Sequence, residues 1–161
     1  MVEDTRISWD EYFMEMAKLA ARRSTCLRRQ VGAVIVQDKH VIATGYNGAP
    51  KGIPHCAEMG GCYREQNNIP SGERHELCRA LHAEQNAICQ AAKRGISIEG
   101  GTLYCRMTPC RTCTMLIINC GIKRVVCQQR YHVAEESEAM LKMAGIELEY
   151  KSTETVQYKN Q

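Results

Sequence analysis

From His82 to Tyr150 the chain alternates helix and strand with short joins. "HAEQNAICQAAKRG" at 82–95 reads as a helix closed by Gly95. "GTLYCRM" at 101–107 reads as a strand, and "PCRTCTMLIINCG" at 109–121 as a helix with Pro109 near its start and Gly121 at its end. "IKRVVCQ" is a strand, "AEESEAMLKMAG" at 134–145 a helix and "IELEY" at 146–150 a final strand. A strand that passes through a helix before the next strand cannot form a hairpin. The connection crosses over the sheet, so these strands pair in parallel and the helices cover its faces.

Upstream, "SWDEYFMEMAKLAARRS" places Trp9, Tyr12, Phe13, Met16, Leu19 and Ala20 at helical spacing, which predicts a helix over 8–23. Ser8 is its N-cap, with Glu11 three residues on completing a capping box. "VGAVIVQ" at 31–37 is a β-branched run that reads as a buried strand, and "HVIATGYN" at 40–47 as its hairpin partner across the turn "QDKH". The order αββ, loop, αβαβαβ defines an α/β protein, a three-layer α/β/α sandwich around a five-stranded mixed sheet. Residues 48–79 are the irregular part, with three prolines and three cysteines. A loop of that length in a compact fold is functional or pinned. The segment from about 151 is polar and reads as a frayed tail.

A length of 161 residues, 44% of them hydrophobic, suits one domain with its own core, here 1–161 with the cysteine-bearing insert at about 48–79. No run approaches the roughly 18 apolar residues of a membrane helix, and "MVEDTRISWDEYF" has no apolar leader core, so a cytoplasmic protein without a membrane partner is expected. The net charge of +3 suits a phosphorylated small molecule without demanding nucleic acid. In a reducing compartment the ten cysteines favour metal binding or catalysis over disulfides. Cys89, Cys105, Cys120 and Cys127 fall inside predicted helices or strands and read as small buried hydrophobes.

The chemistry concentrates at two helix starts. His82, Cys110 and Cys113 offer one imidazole and two thiolates, a good zinc set. Cys110 and Cys113 lie three apart on a first turn, where unpaired backbone N–H groups favour thiolate. Three protein ligands leave the fourth tetrahedral position to water, the mark of a catalytic rather than a structural zinc. Glu84, two residues past His82, can point into the same pocket and shuttle protons. Singly these elements are weak; a Cys-x-x-Cys is also a redox pair. Together they match H-x-E…P-C-x-x-C, the signature of zinc nucleobase deaminases.

"QVGAVIV", "ATGYNGAPKG", "HAEQNAI" and "TPCRTC" together resemble the deoxycytidylate (dCMP) deaminases of the bacterial and phage type, within the cytidine deaminase superfamily. The resemblance runs from about residue 8 to 150. It implies the cytidine deaminase fold and hydrolysis of dCMP to dUMP and ammonia, supplying thymidylate synthesis. It implies that Asn47 contacts the sugar, that backbone groups of Ala83, Thr108 and Pro109 flank the base, and that Tyr131 stacks or rims the pocket. "RRSTCLRR" at 22–29 offers arginine forks and hydroxyls for the phosphate, with Ser24, Thr25 and Arg28 favoured; the same stretch also reads as a basic helix end complementing the dipole. Several relatives carry a second, structural zinc, which here implicates Cys26, Cys56, Cys62 and Cys78, with His55 and His75 as rivals for the Cys62 position. The family is often a homohexamer, activated by dCTP with Mg2+ and inhibited by dTTP, which implicates Gly45, Tyr46 and Gly48 as regulatory; those three could equally form a tight turn. Rival functions are another nucleoside, nucleobase or tRNA deaminase of the superfamily, and a zinc-stabilised DNA-uptake accessory protein without activity.

Overall fold

A computed structural model describes residues 1–156 of the chain. The apolar run after residue 31 is buried because both faces of its strand are covered. Strands β1 (Gly32–Gln37), β2 (His40–Tyr46), β3 (Thr102–Met107), β4 (Arg124–Tyr131) and β5 (Glu147–Tyr150) lie in the order β2-β1-β3-β4-β5. β1 is antiparallel to β2 and to β3, whereas β3–β4 and β4–β5 are parallel. The mixed sheet expected from the sequence is therefore present. Alternate residues of each strand serve opposite faces. Val34 and Val36 of β1 and Tyr104 of β3 pack with Phe13, Met14 and Ala17 of α1 (Trp9–Ala21). Ala33, Ile35, Leu103 and Val125 pack on the other face with Ala87 of α3 (Ala83–Lys93), Ile117 of α4 (Arg111–Asn119) and Leu141 of α5 (Glu135–Met143). The crossovers through α4 and α5 step in one direction across the sheet, so one handedness puts both helices on one face.

The Ser8–Glu11 capping box forms, with Ser8 N–H donating to Glu11 at 2.9 Å and Glu11 N–H to Ser8 Oγ at 3.2 Å. The buried stripe of α1 differs from the expected one. Phe13, Met14, Ala17 and Ala21 are buried, whereas Trp9, Tyr12 and Leu19 are exposed. The reason is close packing against Gly32, where a Cβ would stand 2.1 Å from the Ala17 carbonyl. Small residues must face that contact, which turns the bulkier ones outward. The β1–β2 turn places Asp38 and Lys39 at positive φ, the two-residue geometry that matches strand twist.

Three further expectations are corrected. Cys89 is exposed, and Cys120, the C-cap of α4, is only partly buried against the core; Cys105 and Cys127 are buried in the core. Pro109 precedes the cap of α4, which is Cys110 itself. The segment after residue 150 is tied down rather than frayed: Lys151 and Ser152 donate to the carbonyls of Cys127 and Gln128, and β6 (Thr155–Val156) pairs in parallel with the end of β4. The rest of that tail, 157–161, lies outside the described residues. Within 48–79 the structure has α2 (Tyr63–Gln66) and a single 3-10 turn, His75–Leu77. Among the described residues no helix is long and apolar enough to cross a membrane.

Candidate metal centre and adjoining cavity

The carboxyl ends of β2, β3 and β4 and the start of β1 meet at one edge of the sheet, where open α/β sheets place ligands. A cavity there is lined by Asn47 after β2, Met107 at the end of β3 and Thr108 after it, Tyr131 at the end of β4 and Val31 before β1. The insert closes it with Arg64, Ser71 and His75. The first turns of α3 and α4 face into it, so His82, Glu84 and Cys110 line its floor.

His82 is the N-cap of α3 and Cys110 the N-cap of α4, with Cys113 one turn further on. Cys110 Sγ and Cys113 Sγ each lie 3.4 Å from His82 Nδ1. Zinc–nitrogen and zinc–sulfur bonds of ordinary length meeting tetrahedrally give an N···S edge of about 3.5 Å. The spacing therefore fits one zinc bound through Nδ1. The donor chemistry agrees. The bond from Cys113 holds the Cys110 thiol well below its ordinary range despite burial, with His75 and His82 adding to the effect. The same bond, together with burial, pushes Cys113 up. A dication accepts both as thiolates and removes this competition for one proton.

Glu84 is buried, with its Oε2 3.9 Å from Cys113 Sγ and grouped with His82 and Cys113. Burial pushes its carboxyl above the ordinary range. Its carboxyl lies beside the His82 and Cys113 donor atoms. His75 was absent from the expected catalytic set. Its ring stands edge-on to His82 at 4.8 Å between centroids, and it groups with His82 and Cys110. The only signal for it was a histidine inside a segment without periodicity.

"GYNG" packs against the start of α3. A Cβ on Gly45 would meet the Ala83 carbonyl at 2.2 Å and Ala87 N at 2.5 Å, so only glycine lets α3 lie this close. Tyr46 is partly exposed and its carbonyl accepts from Asn86. Gly48 and Leu81 exchange backbone bonds of 3.1 and 2.9 Å, fixing the residue before His82. Asn47 is buried; its Oδ1 accepts from Val31 N–H and its Nδ2 donates to the Arg29 carbonyl, both at 2.9 Å. Gly45→Ala should therefore push the first turn of α3 away, lowering Tm by several degrees and activity at least tenfold, since overpacking of this kind costs about 1–3 kcal/mol. Unchanged melting and turnover would refute this reading of the glycine.

Ser24 and Thr25 do not line the cavity. The Ser24 hydroxyl bonds the Arg29 and Asn47 carbonyls at 3.1 and 3.0 Å, and Thr25 N–H donates to Asn47. Arg28 and Arg29 do line it. The Arg28 side chain is only 5% exposed, lies 3.4 Å from Glu65, and its Nη1 has no partner among the described residues. Arg64 is likewise buried with Nε unpartnered among those residues, while its Nη2 donates to the Pro70 and Glu73 carbonyls. Arg29 bonds Tyr131 Oη at 3.1 Å and Ser71 Oγ, and Ser71 reaches Tyr131 Oη at 2.8 Å, which ties insert, β4 and the segment before β1 together over the cavity.

Cys26, Cys56, Cys62 and Cys78 also line this cavity. Arg28 N–H donates to Cys26 Sγ at 3.4 Å, and burial pushes the Cys78 thiol up, with Cys26 and Cys56 among its neighbours. Among the described residues no three of the four sulfurs come within 4.8 Å of one another. His55 lines a different cavity, beside Gly45, Tyr46 and Gly48.

A mixed sheet carrying a His-x-Glu and a Cys-x-x-Cys at adjacent helix starts defines a zinc-binding deaminase architecture. The family model described as the cytidine and deoxycytidylate deaminase zinc-binding region matches residues 7–129, and the chain belongs to that family. Among its relatives, the deoxycytidylate deaminase of Schizosaccharomyces pombe is 45% identical over 143 residues, covering 89% of this chain but 44% of its own length. The chain thus spans under half of that fungal protein. The deoxycytidylate deaminase of Mycobacterium phage D29 is 42% identical over 126 residues, 76% of this chain and 95% of the phage protein. The fold is similar to that of the dCMP deaminase of cyanophage S-TIM5, solved in complex with dCMP and dUMP, with a TM-score of 0.75 at 30% identity over 91% of this chain and 99% of that one.

Proposed function

We propose that this chain hydrolyses dCMP to dUMP and ammonia. The observation that carries the proposal is the buried carboxyl of Glu84 beside His82 Nδ1 and the two cysteine sulfurs that lie 3.4 Å from that nitrogen, next to a cavity whose other wall bears buried arginines. His82, Cys110 and Cys113 would hold a zinc ion, which would supply the Lewis acidity that makes water nucleophilic. Glu84 takes a proton from the attacking water and passes it to the ring nitrogen, then a second to the departing amine. Ala83 and Thr108 line the cavity where the ring would lie, with Pro109 buried behind them, and Asn47 holds the wall where the sugar would rest.

Arg28 is our choice for the phosphate, because a buried guanidinium with an unsatisfied N–H is costly until an anion meets it. The cavity holds about 120 Å³, less than the roughly 300 Å³ of an ordinary small-ligand pocket. The Arg29–Ser71–Tyr131 contact lies on the wall of this cavity, so a nucleotide entering it would rearrange that contact. The insert, together with Cys26 from the segment before β1, is proposed to bind a second zinc through Cys26, Cys56, Cys62 and Cys78, whose sulfurs would draw together on the ion. Regulation by dCTP with Mg2+ and by dTTP is proposed at the cavity beside Tyr46 and Gly48, which Lys51, Lys93 and Arg94 make basic, in a homo-oligomer.

Steady-state assays on dCMP, deoxycytidine, CMP and a tRNA anticodon arm test the substrate; faster turnover of any but dCMP overturns it. Arg28→Gln should cut the preference for dCMP over deoxycytidine about thirtyfold, the loss of one charge-assisted bond of about 2 kcal/mol. An unchanged preference would place the phosphate elsewhere.

A further inference from the structure

The turn Thr108–Pro109–Cys110 carries one zinc ligand and flanks the cavity, yet Pro109 has no N–H with which to anchor it. The Thr108 side chain supplies that anchor. Its Oγ accepts from Tyr131 N–H at 3.1 Å and lies 3.0 Å from Tyr150 Oη. Tyr150 Oη in turn donates to Glu138 Oε1 at 2.8 Å. Glu138 is clamped by Arg130, Nε to Oε1 at 2.6 Å and Nη2 to Oε2 at 2.9 Å.

The direction of each bond follows from counting protons. Glu138, paired to a guanidinium in a two-pronged geometry, is an acceptor only. Tyr150 has one proton and gives it to Glu138. Its oxygen is then left to accept, so Thr108 must donate to Tyr150. Every member has one assigned role, and the chain ends on a fixed charge. Charge-assisted links of this kind hold geometry more tightly than neutral ones.

We propose that Tyr150 and Glu138 are positioning residues for the deamination, setting the Thr108–Cys110 turn from the C-terminal half of the sheet. Neither lines the cavity; they act through Thr108. The role rests on the deaminase reading above. It gives β5 and α5, which contribute no ligand, a part in the reaction. A displacement of about 1 Å at a reacting group can cost on the order of 100-fold in rate, so loosening this turn is expected to be felt in kcat.

The test is Tyr150→Phe, which removes one oxygen, with Glu138→Gln as a second variant that keeps an acceptor but loses the charge. Tyr150→Phe should retain zinc and lower kcat for dCMP about tenfold, with KM moving less than threefold. Glu138→Gln should fall between it and wild type. In the cobalt(II)-substituted protein, Tyr150→Phe should shift the thiolate-to-metal absorption bands, because Cys110 moves. Because Thr108 Oγ also accepts from Tyr131 N–H, Thr108→Val should cost more than Tyr150→Phe, and the double variant should look like Thr108→Val alone in both readouts. Unshifted bands, or losses that multiply in the double variant, overturn the positioning role whatever the substrate proves to be. An inactive wild type with shifted bands in Tyr150→Phe would instead overturn the substrate and keep the positioning.

Discussion

Glu84→Gln is expected to fold, to bind zinc as wild type does, and to deaminate dCMP at least 1,000-fold more slowly, within the roughly 100- to 10,000-fold range of general acid–base catalysis. The substitution keeps side-chain volume, so the buried site does not collapse. What it removes is a buried carboxyl, beside His82 and Cys113, that can both accept and return a proton. The reaction needs that twice: a proton leaves water, and a proton must reach a leaving amine that is otherwise a very poor departing group. Glu84 is buried on the first turn of α3, and burial keeps its carboxyl above its ordinary range, nearer to a pKa at which it can serve in both directions. Single-turnover rates alongside zinc analysis check this. A rate within tenfold of wild type would remove Glu84 from the mechanism, even with the metal site intact.

The parts of this site that the sequence disclosed are those written into short segments. His82, Glu84, Cys110 and Cys113 sit on two first turns, where local spacing alone fixes which side chains point together. The alternating helices and strands disclosed the sheet for the same reason. What stayed hidden depends on contacts far apart in the chain. Ser71, Arg64 and His75 come from the insert, whose lack of periodicity gives no face on which to place them. Tyr150 reaches Thr108 across 42 positions, and β6 returns to β4 from a segment with no strand pattern. The stripe of α1 was misjudged because its orientation is set by Gly32 on another element, not by the helix's own apolar count. Ser24, a hydroxyl among arginines, looks available to a phosphate, whereas its one proton is shared between the carbonyls of Arg29 and, from beyond β2, Asn47.

Metal removal should have the largest effect of all, and should come in two separable parts. Wild type is expected to hold two zincs per chain. Cys113→Ala should lose one of them and all measurable deamination. Its two remaining ligands cannot hold a dication against water, and Cys113 is buried where no solvent ligand can easily replace it. Its melting temperature should fall only modestly, because α4 stays packed through Ile117. Cys78→Ala should lose the other zinc and behave differently. The insert has little regular structure of its own, so the metal would be one of its main constraints, and the variant should melt earlier and become sensitive to protease within 48–79. Its turnover should fall because Arg64, Ser71 and His75 reach the cavity only while the insert holds its place. One zinc per wild-type chain, with Cys78→Ala unaltered in metal and melting, would eliminate the second site and leave the first standing. Full zinc and full activity in Cys113→Ala would eliminate the first, since no other described residue offers a third donor to His82 and Cys110 except His75. For that reason His75→Ala belongs beside it. If His75 only abuts His82, the variant keeps its zinc; if it substitutes for a cysteine, zinc is lost in the double variant alone.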